Sequence, residues 1–314
     1  MAQDPRALLQ KADKLHSSAS GGFSLFGGKQ GKLEEAADTY TQAANAFRLQ
    51  KSGVEAGRAF EKAAAIQQDQ LKEADDAANT YSEAFKAYRK DSPEDAARCL
   101  QKAINHYTMK GNFRRAATNQ QHLAELYEEI GDTKRALPAY DTAASWFEQD
   151  NAEALSNKLW LKTADLAAIE QDYQKAIELY ERVASTPFLL PQSHHLQRQI
   201  TNPPSSTESS ISNNLMKWSV KTYFLKAGMC HLASGDMVAV NRALEHYREV
   251  DPSFAQQREH QLLCDLAEAV DKGEQEMFAD KLYQYDQLSK LGKWETTILL
   301  RVKDGITEKD EDFS

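Results

Sequence analysis

Small and bulky apolar residues recur along the first half of the chain at a fixed interval. A small residue is followed four positions later by an aromatic or bulky one, and three positions after that by another small one. The series reads Ala36, Tyr40, Ala43; Ala56, Phe60, Ala63; Ala77, Tyr81, Ala84; and Ala96, Leu100, Ala103. It weakens at Ala116, Gln120, Leu123, recovers at Ala136, Tyr140, Ala143, and ends with Ser156, Trp160, Thr163 and Ala176, Tyr180, Val183. Successive starting positions differ by 20, 21, 19, 20, 20, 20 and 20. Offsets of four and seven put all three residues on one stripe of an α-helix. The small residues let neighbouring helices approach closely while the bulky ones fill the gaps. Gly53, Asp91-Ser92-Pro93, Gly111-Asn112, Gly131-Asp132 and Gln171-Asp172 fall between the stripes and break the helix there.

Each interval is therefore one helix of roughly 14 to 16 residues and a short turn, and two intervals make a hairpin of about 40. This predicts an all-α fold, a tetratricopeptide-like right-handed solenoid of antiparallel helical hairpins with a C-terminal helical bundle. An ordinary helical bundle with an Ala-rich core is the plainer alternative, and the seven near-equal spacings favour the repeat. Pro138 lies inside its interval and predicts a late start or a kink.

The rhythm fails after about residue 186, at Thr186-Pro187. Residues 191–214, rich in Ser, Thr, Asn and Gln and carrying Pro203-Pro204, read as a mobile inserted loop. Helix resumes near Leu215 and runs to Ser234, another covers Val238 to Val250, and three more lie between Phe254 and Ile306. The expected division is a helical-hairpin solenoid over 1–255 and a C-terminal bundle with an acidic tail over 256–314.

Charge refines this division. Lys and Arg number 38 against 47 Asp and Glu, a net −9. Residues 256–314 hold 8 Lys/Arg and 14 Asp/Glu, so −6 of the total sits there and only −3 in 1–255. The balance excludes a general nucleic-acid binder. Cys99, Cys230 and Cys264 are widely spaced, which fits a reducing compartment and neither a disulfide framework nor a zinc site. No run approaches the ~18 uncharged apolar residues of a membrane span. No catalytic motif is present, and Gly28-Lys29 has Phe23 and Gln30 where a phosphate loop needs Gly and a hydroxyl. His194-His195 has no carboxylate or Cys partner nearby in sequence. The chain reads as a binding protein without catalytic residues, metal or cofactor.

The stretch 17–31 carries Phe23, Leu25 and Phe26 between paired glycines, with Lys29 and Lys32 beside them. Nothing in it favours a regular helix. The apolar side chains either fold back onto the first helices or insert shallowly into a membrane or partner groove. Burying three of them yields at most about 5–9 kcal/mol, at roughly 1.5–3 each. Ordering the loop consumes much of that, so attachment is weak and reversible, and effective only with several copies or a second contact.

The run from Tyr285 to Lys303, with Trp294, Thr296, Thr297, Leu299, Leu300 and Arg301, resembles the soluble NSF attachment proteins, the alpha-SNAP family. So do Phe23, Phe26, Gly27 and Gly28, the Ala/aromatic rhythm, and Tyr173, Lys175, Ala176 and Tyr180. The resemblance spans essentially the whole chain, the 191–214 insertion being the main departure. It implies a non-enzymatic adaptor in vesicle-mediated transport, cytoplasmic and peripherally membrane-associated. Several copies would coat an assembled SNARE four-helix complex, recruit the hexameric AAA ATPase NSF and touch the membrane through the apolar loop. No cofactor or nucleic acid is implied.

On this resemblance Lys158 with Lys162, and Lys217 with Lys221, are SNARE-binding pairs, each four apart and so on one helix face. A solvated face is the alternative for both. One family contact lysine falls on Thr118, with Arg114 and Arg115 one turn earlier as substitutes. The acidic tail Asp310, Glu311, Asp312 and Phe313 corresponds to the ATPase-stimulating segment, with Phe where the family carries Leu. The remaining alternative is a general tetratricopeptide-type peptide-binding scaffold without NSF or membrane contact.

Overall fold

A computed structural model describes residues 4–20, 28–189 and 206–311, and all their side chains except those of 20, 186–189, 206–219 and 307–311. The described residues form fourteen α-helices in chain order. They are α1 (Pro5–Ser20), α2 (Gly28–Leu49), α3 (Gly53–Ala65), α4 (Ala74–Tyr88), α5 (Pro93–Met109), α6 (Phe113–Glu129) and α7 (Thr133–Gln149). Then follow α8 (Glu153–Ile169), α9 (Tyr173–Leu189), α10 (Ser206–Ser234), α11 (Met237–Val250), α12 (Arg258–Lys272), α13 (Gln275–Leu288) and α14 (Lys293–Glu311). A π-helical turn (Ile66–Leu71) extends α3. The chain divides into two compact units, 1–156 and 157–314, with the boundary inside α8.

In the first unit each helix from α1 to α7 packs on the next, the sequential order of an all-α hairpin repeat. The stripe residues are its core: Tyr40, Phe60, Tyr81, Leu100 and Tyr140 and their small partners are buried, and only Gln120, where the rhythm weakens, is half-buried. One turn design closes most hairpins. The second residue past the helix end adopts a left-handed conformation, supplied by Gly111 and Gly131 at φ 72° and 76°, and by Lys51, Asn151 and Gln171 elsewhere. The next N–H then reaches back five residues to a helix carbonyl, as Asn112 does to Tyr107 and Asp132 to Tyr127, both at 2.8 Å. That same residue caps the following helix: Asn112 Oδ1 accepts from the Arg115 N–H at 3.2 Å, and Asp132 Oδ1 from that of Arg135 at 3.0 Å.

Buried tyrosine rings bring a hydroxyl into the core, and several of them find a carboxylate. Tyr88 donates to Glu61 at 2.8 Å, Tyr140 to Glu128 at 2.7 Å, and Tyr247 to Glu181 at 2.7 Å. Burial pulls the Glu181 carboxyl upward, but the hydrogen bonds from His231 and Tyr247 outweigh it and hold it below the usual range.

The second unit packs α9, α11, α12 and α14 around α10. Phe224, Tyr247 and Phe254 form its aromatic centre, with Phe224 stacked on Tyr247 at 4.5 Å between ring centroids. Its last helix is tied to α8. Trp294 Nε1 donates to the Asp165 carbonyl at 2.9 Å, and Arg301 caps the end of α8 through the carbonyls of Ala168 and Ile169 at 3.0 and 2.9 Å.

Three boundaries differ from expectation. α7 starts on time at Thr133 and runs through Pro138, because the Asp132 cap and its ion pair to Arg135 at 2.6 Å nucleate the helix before the proline. α10 begins at Ser206 rather than near Leu215, just beyond Pro203-Pro204, with Ser and Glu in its first turn, a good helix start. α1 continues to Ser20 and α2 begins at Gly28, so residues 17–20 and 28–31 of the stretch expected to be non-helical are helical. Ser17 and Ser18 spend their hydroxyls on the carbonyls of Asp13 and Leu15, satisfying them within the helix. Residues 21–27 and 190–205 lie outside the described residues.

Candidate functional site

Lys158 and Lys162 stand two and six places after Ser156, the small residue that opens their stripe. That stripe faces the core, with Leu159 and Trp160 buried, so the positions beside it turn toward solvent: Lys158 is exposed and Lys162 half-buried. The same repeat positions hold Asn79 and Glu83 on α4, and Thr118 and His122 on α6. Equivalent positions thus pass from acidic and neutral on α4 to doubly basic on α8. His122 is stacked on Phe85, and burial lowers its pKa, so it adds no charge at neutral pH.

The other sequence-predicted cations are placed differently. Lys221 is mostly buried, its Nζ 2.9 Å from Glu259 Oε1, and this ion pair joins α10 to α12. Its positive charge is largely spent inside the protein. Lys217 lies on α10 one turn earlier, with its side chain outside the described residues. Arg114 is exposed and paired to Asp150 at 3.2 Å. Thr118 turns its hydroxyl onto the Arg114 carbonyl at 3.0 Å. Arg115 lies over the Tyr107 ring at 4.9 Å and donates to Asn79 Oδ1 at 3.2 Å. Phe23, Leu25 and Phe26 lie outside the described residues, as do Asp312 and Phe313. Asp310 and Glu311 close α14, their side chains likewise not described.

Sequence reasoning missed a cluster that anchors the C-terminal helix. Asp165 accepts from the Tyr180 hydroxyl and from Lys226 Nζ, the latter at 2.6 Å. The Lys226 ammonium lies 4.5 Å from the Trp294 ring centroid and 5.7 Å from that of Tyr180. Further along the same helix Ile298 and Leu299 are buried while Leu300 is exposed. The run that carries the family resemblance is thus a structural anchor, and its signal was present in Trp294 and Arg301. Cys99, in the first unit, and Cys230, in the second, are buried free thiols pushed up to about 12 by burial, too weakly ionised to attack at neutral pH.

A repeat of helical hairpins with the cation of Lys158 exposed on α8 offers an extended surface for other macromolecules. The profile of the family Soluble NSF attachment protein, SNAP, matches residues 3–189 and 204–307, and the chain belongs to that family. A probable vesicular-fusion protein sec17 homolog of Neurospora crassa is 51% identical over 315 residues, with 100% of both chains covered. Its namesake in Schizosaccharomyces pombe is 48% identical over the same span, again covering 100% of both. The alpha-soluble NSF attachment protein of Homo sapiens is 35% identical over 309 residues, 98% of this chain and 96% of that one. This is a family of adaptors, not enzymes.

Proposed function

We propose that this chain is an adaptor of vesicle-mediated transport that binds assembled SNARE complexes, recruits the NSF-type hexameric AAA ATPase and stimulates it to take the complex apart. The observation that carries this reading is the family match along nearly the whole chain, with relatives named for NSF attachment and vesicular fusion covered end to end. Residues 1–255 take the SNARE bundle and residues 256–314 the ATPase. Lys158, Lys162 and Lys217 meet acidic stripes on the bundle, steering approach and register more than supplying raw affinity. The test is reconstituted disassembly of a SNARE complex by NSF with and without the chain, where equal rates would refute it. A general peptide-binding scaffold would bind the complex yet fail to capture NSF with ATP.

The tail Asp310, Glu311, Asp312 and Phe313 places a large apolar side chain beside carboxylates, the chemistry of the stimulating segment. Phe313→Ala is expected to bind SNARE complex normally while losing most of the ATPase stimulation. Undiminished stimulation would remove Phe313 from this role.

Membrane contact is assigned to Phe23, Leu25 and Phe26. No described helix is long and apolar enough to cross a membrane, so attachment would be peripheral, shallow and shared among several copies. In liposome flotation, Phe23→Ser with Phe26→Ser is expected to lose most of the floated fraction. An unchanged fraction would instead favour folding of the loop onto α1 and α2.

A further inference from the structure

A groove of about 390 Å³ opens in the first unit between α2, α4 and α6, above the rings of Phe60, Phe85 and Tyr107. Arg115 stands at its edge in a fixed pose. The Tyr107 ring supports the guanidinium from below, and Asn79 Oδ1 accepts both from Arg115 Nη2 at 3.2 Å and from the Tyr107 hydroxyl at 2.8 Å. With that oxygen used twice, Asn79 has only its amide N–H groups left to offer, and the guanidinium keeps several of its five. The edge of the groove is therefore rich in donors aimed by the fold itself.

Its charge is uncompensated by comparison with its neighbours. Arg48, Arg89, Arg98, Arg114 and Arg135 each hold a carboxylate of their own, whereas none of the described ion pairs includes Arg115. Asp75, whose charge reaches Tyr107, is itself held by His106 and Lys110 at 2.7 and 2.5 Å. A guanidinium oriented in advance and free of a carboxylate suits a planar carboxylate with two acceptor oxygens.

We propose that Arg115 and Asn79 form a receptor for one Asp or Glu side chain of the partner helical bundle. The proposal rests on the reading that this chain binds such a bundle, and it names a specificity contact for that face. Asn79 stands two places after Ala77 just as Lys158 stands two places after Ser156, so the receptor occupies the face of the repeat helix on which the lysine pair also lies. It also supplies a cationic contact on α6, where Thr118 has none.

The experiment measures binding of the full chain to an assembled SNARE four-helix complex by calorimetry. Arg115→Ala is expected to weaken binding about 10- to 100-fold, as for loss of a charge-assisted pair. Asn79→Asp gives Arg115 an internal carboxylate, and is expected to weaken binding to a similar degree with the melting temperature unchanged or raised. Arg115→Glu is expected to be rescued by changing one acidic residue of the bundle to Lys. Wild-type binding by Asn79→Asp overturns the receptor whatever Arg115→Ala does. If both variants bind normally while Lys158→Glu with Lys162→Glu does not, the receptor falls and the adaptor reading stands. If the wild-type chain fails to bind the complex, both fall together.

Discussion

Reversing both α8 lysines, Lys158→Glu with Lys162→Glu, is expected to weaken binding to a SNARE four-helix complex roughly 30- to 150-fold at low salt, and less as salt rises. Each exposed pair is worth up to about 1 kcal/mol, and reversal replaces that attraction with a repulsion of similar size. Two positions together lose about 2–3 kcal/mol. Because the interaction is largely solvent-exposed, raising ionic strength toward 1 M shortens the screening length to about 3 Å and should bring wild type and variant together. Lys158 is exposed and lies off the buried stripe of α8, so Lys158→Glu alone should barely move the melting temperature. Wild-type binding by the double variant at physiological salt would remove this face from the SNARE contact.

The largest effect on stability should come from Asp165→Ala. This carboxylate is the acceptor for the Tyr180 hydroxyl and for Lys226, whose side chain is only 16% exposed. Removing it leaves an ammonium and a phenol inside the second unit without the carboxylate that accepts from both, the ammonium still lying against the rings of Trp294 and Tyr180. The expected loss is about 3 kcal/mol, or a fall in melting temperature of roughly 6–12 °C. Asp165→Leu with Lys226→Met removes both charges together and should recover much of the loss, since an apolar pair of similar volume needs no partner. Because Trp294 and Arg301 bind main-chain carbonyls of α8, α14 should stay docked in both variants. A melting temperature for Asp165→Ala within a degree of wild type would show that the cluster contributes nothing.

These two sites differ in how far they could be foreseen. Lys158 and Lys162 are four residues apart on one helix, and helical geometry places them together before any neighbour is known. Lys217 and Lys221 have the same spacing, yet Lys221 turns inward because Glu259 on α12 meets it there. Spacing tells which residues share a face. It does not tell whether another helix already covers that face.

The period of about twenty, the buried small–aromatic stripes and the breaks between helices all follow from local rules. They need only the pitch of a helix and the tendency of a stripe to bury itself. The C-terminal run from Tyr285 to Lys303, together with Phe23, Phe26, Gly27 and Gly28 and the Ala/aromatic rhythm, likewise pointed to the family. The anchor formed by Asp165, Lys226 and Trp294 could not be read this way, since its members lie 61 and 129 residues from Asp165 along the chain. Neither could the pose of Arg115, which depends on Tyr107 from α5 and Asn79 from α4 meeting at one oxygen. Periodicity is a property of each helix alone, while the partner of a charge depends on which helices the packed chain brings side by side.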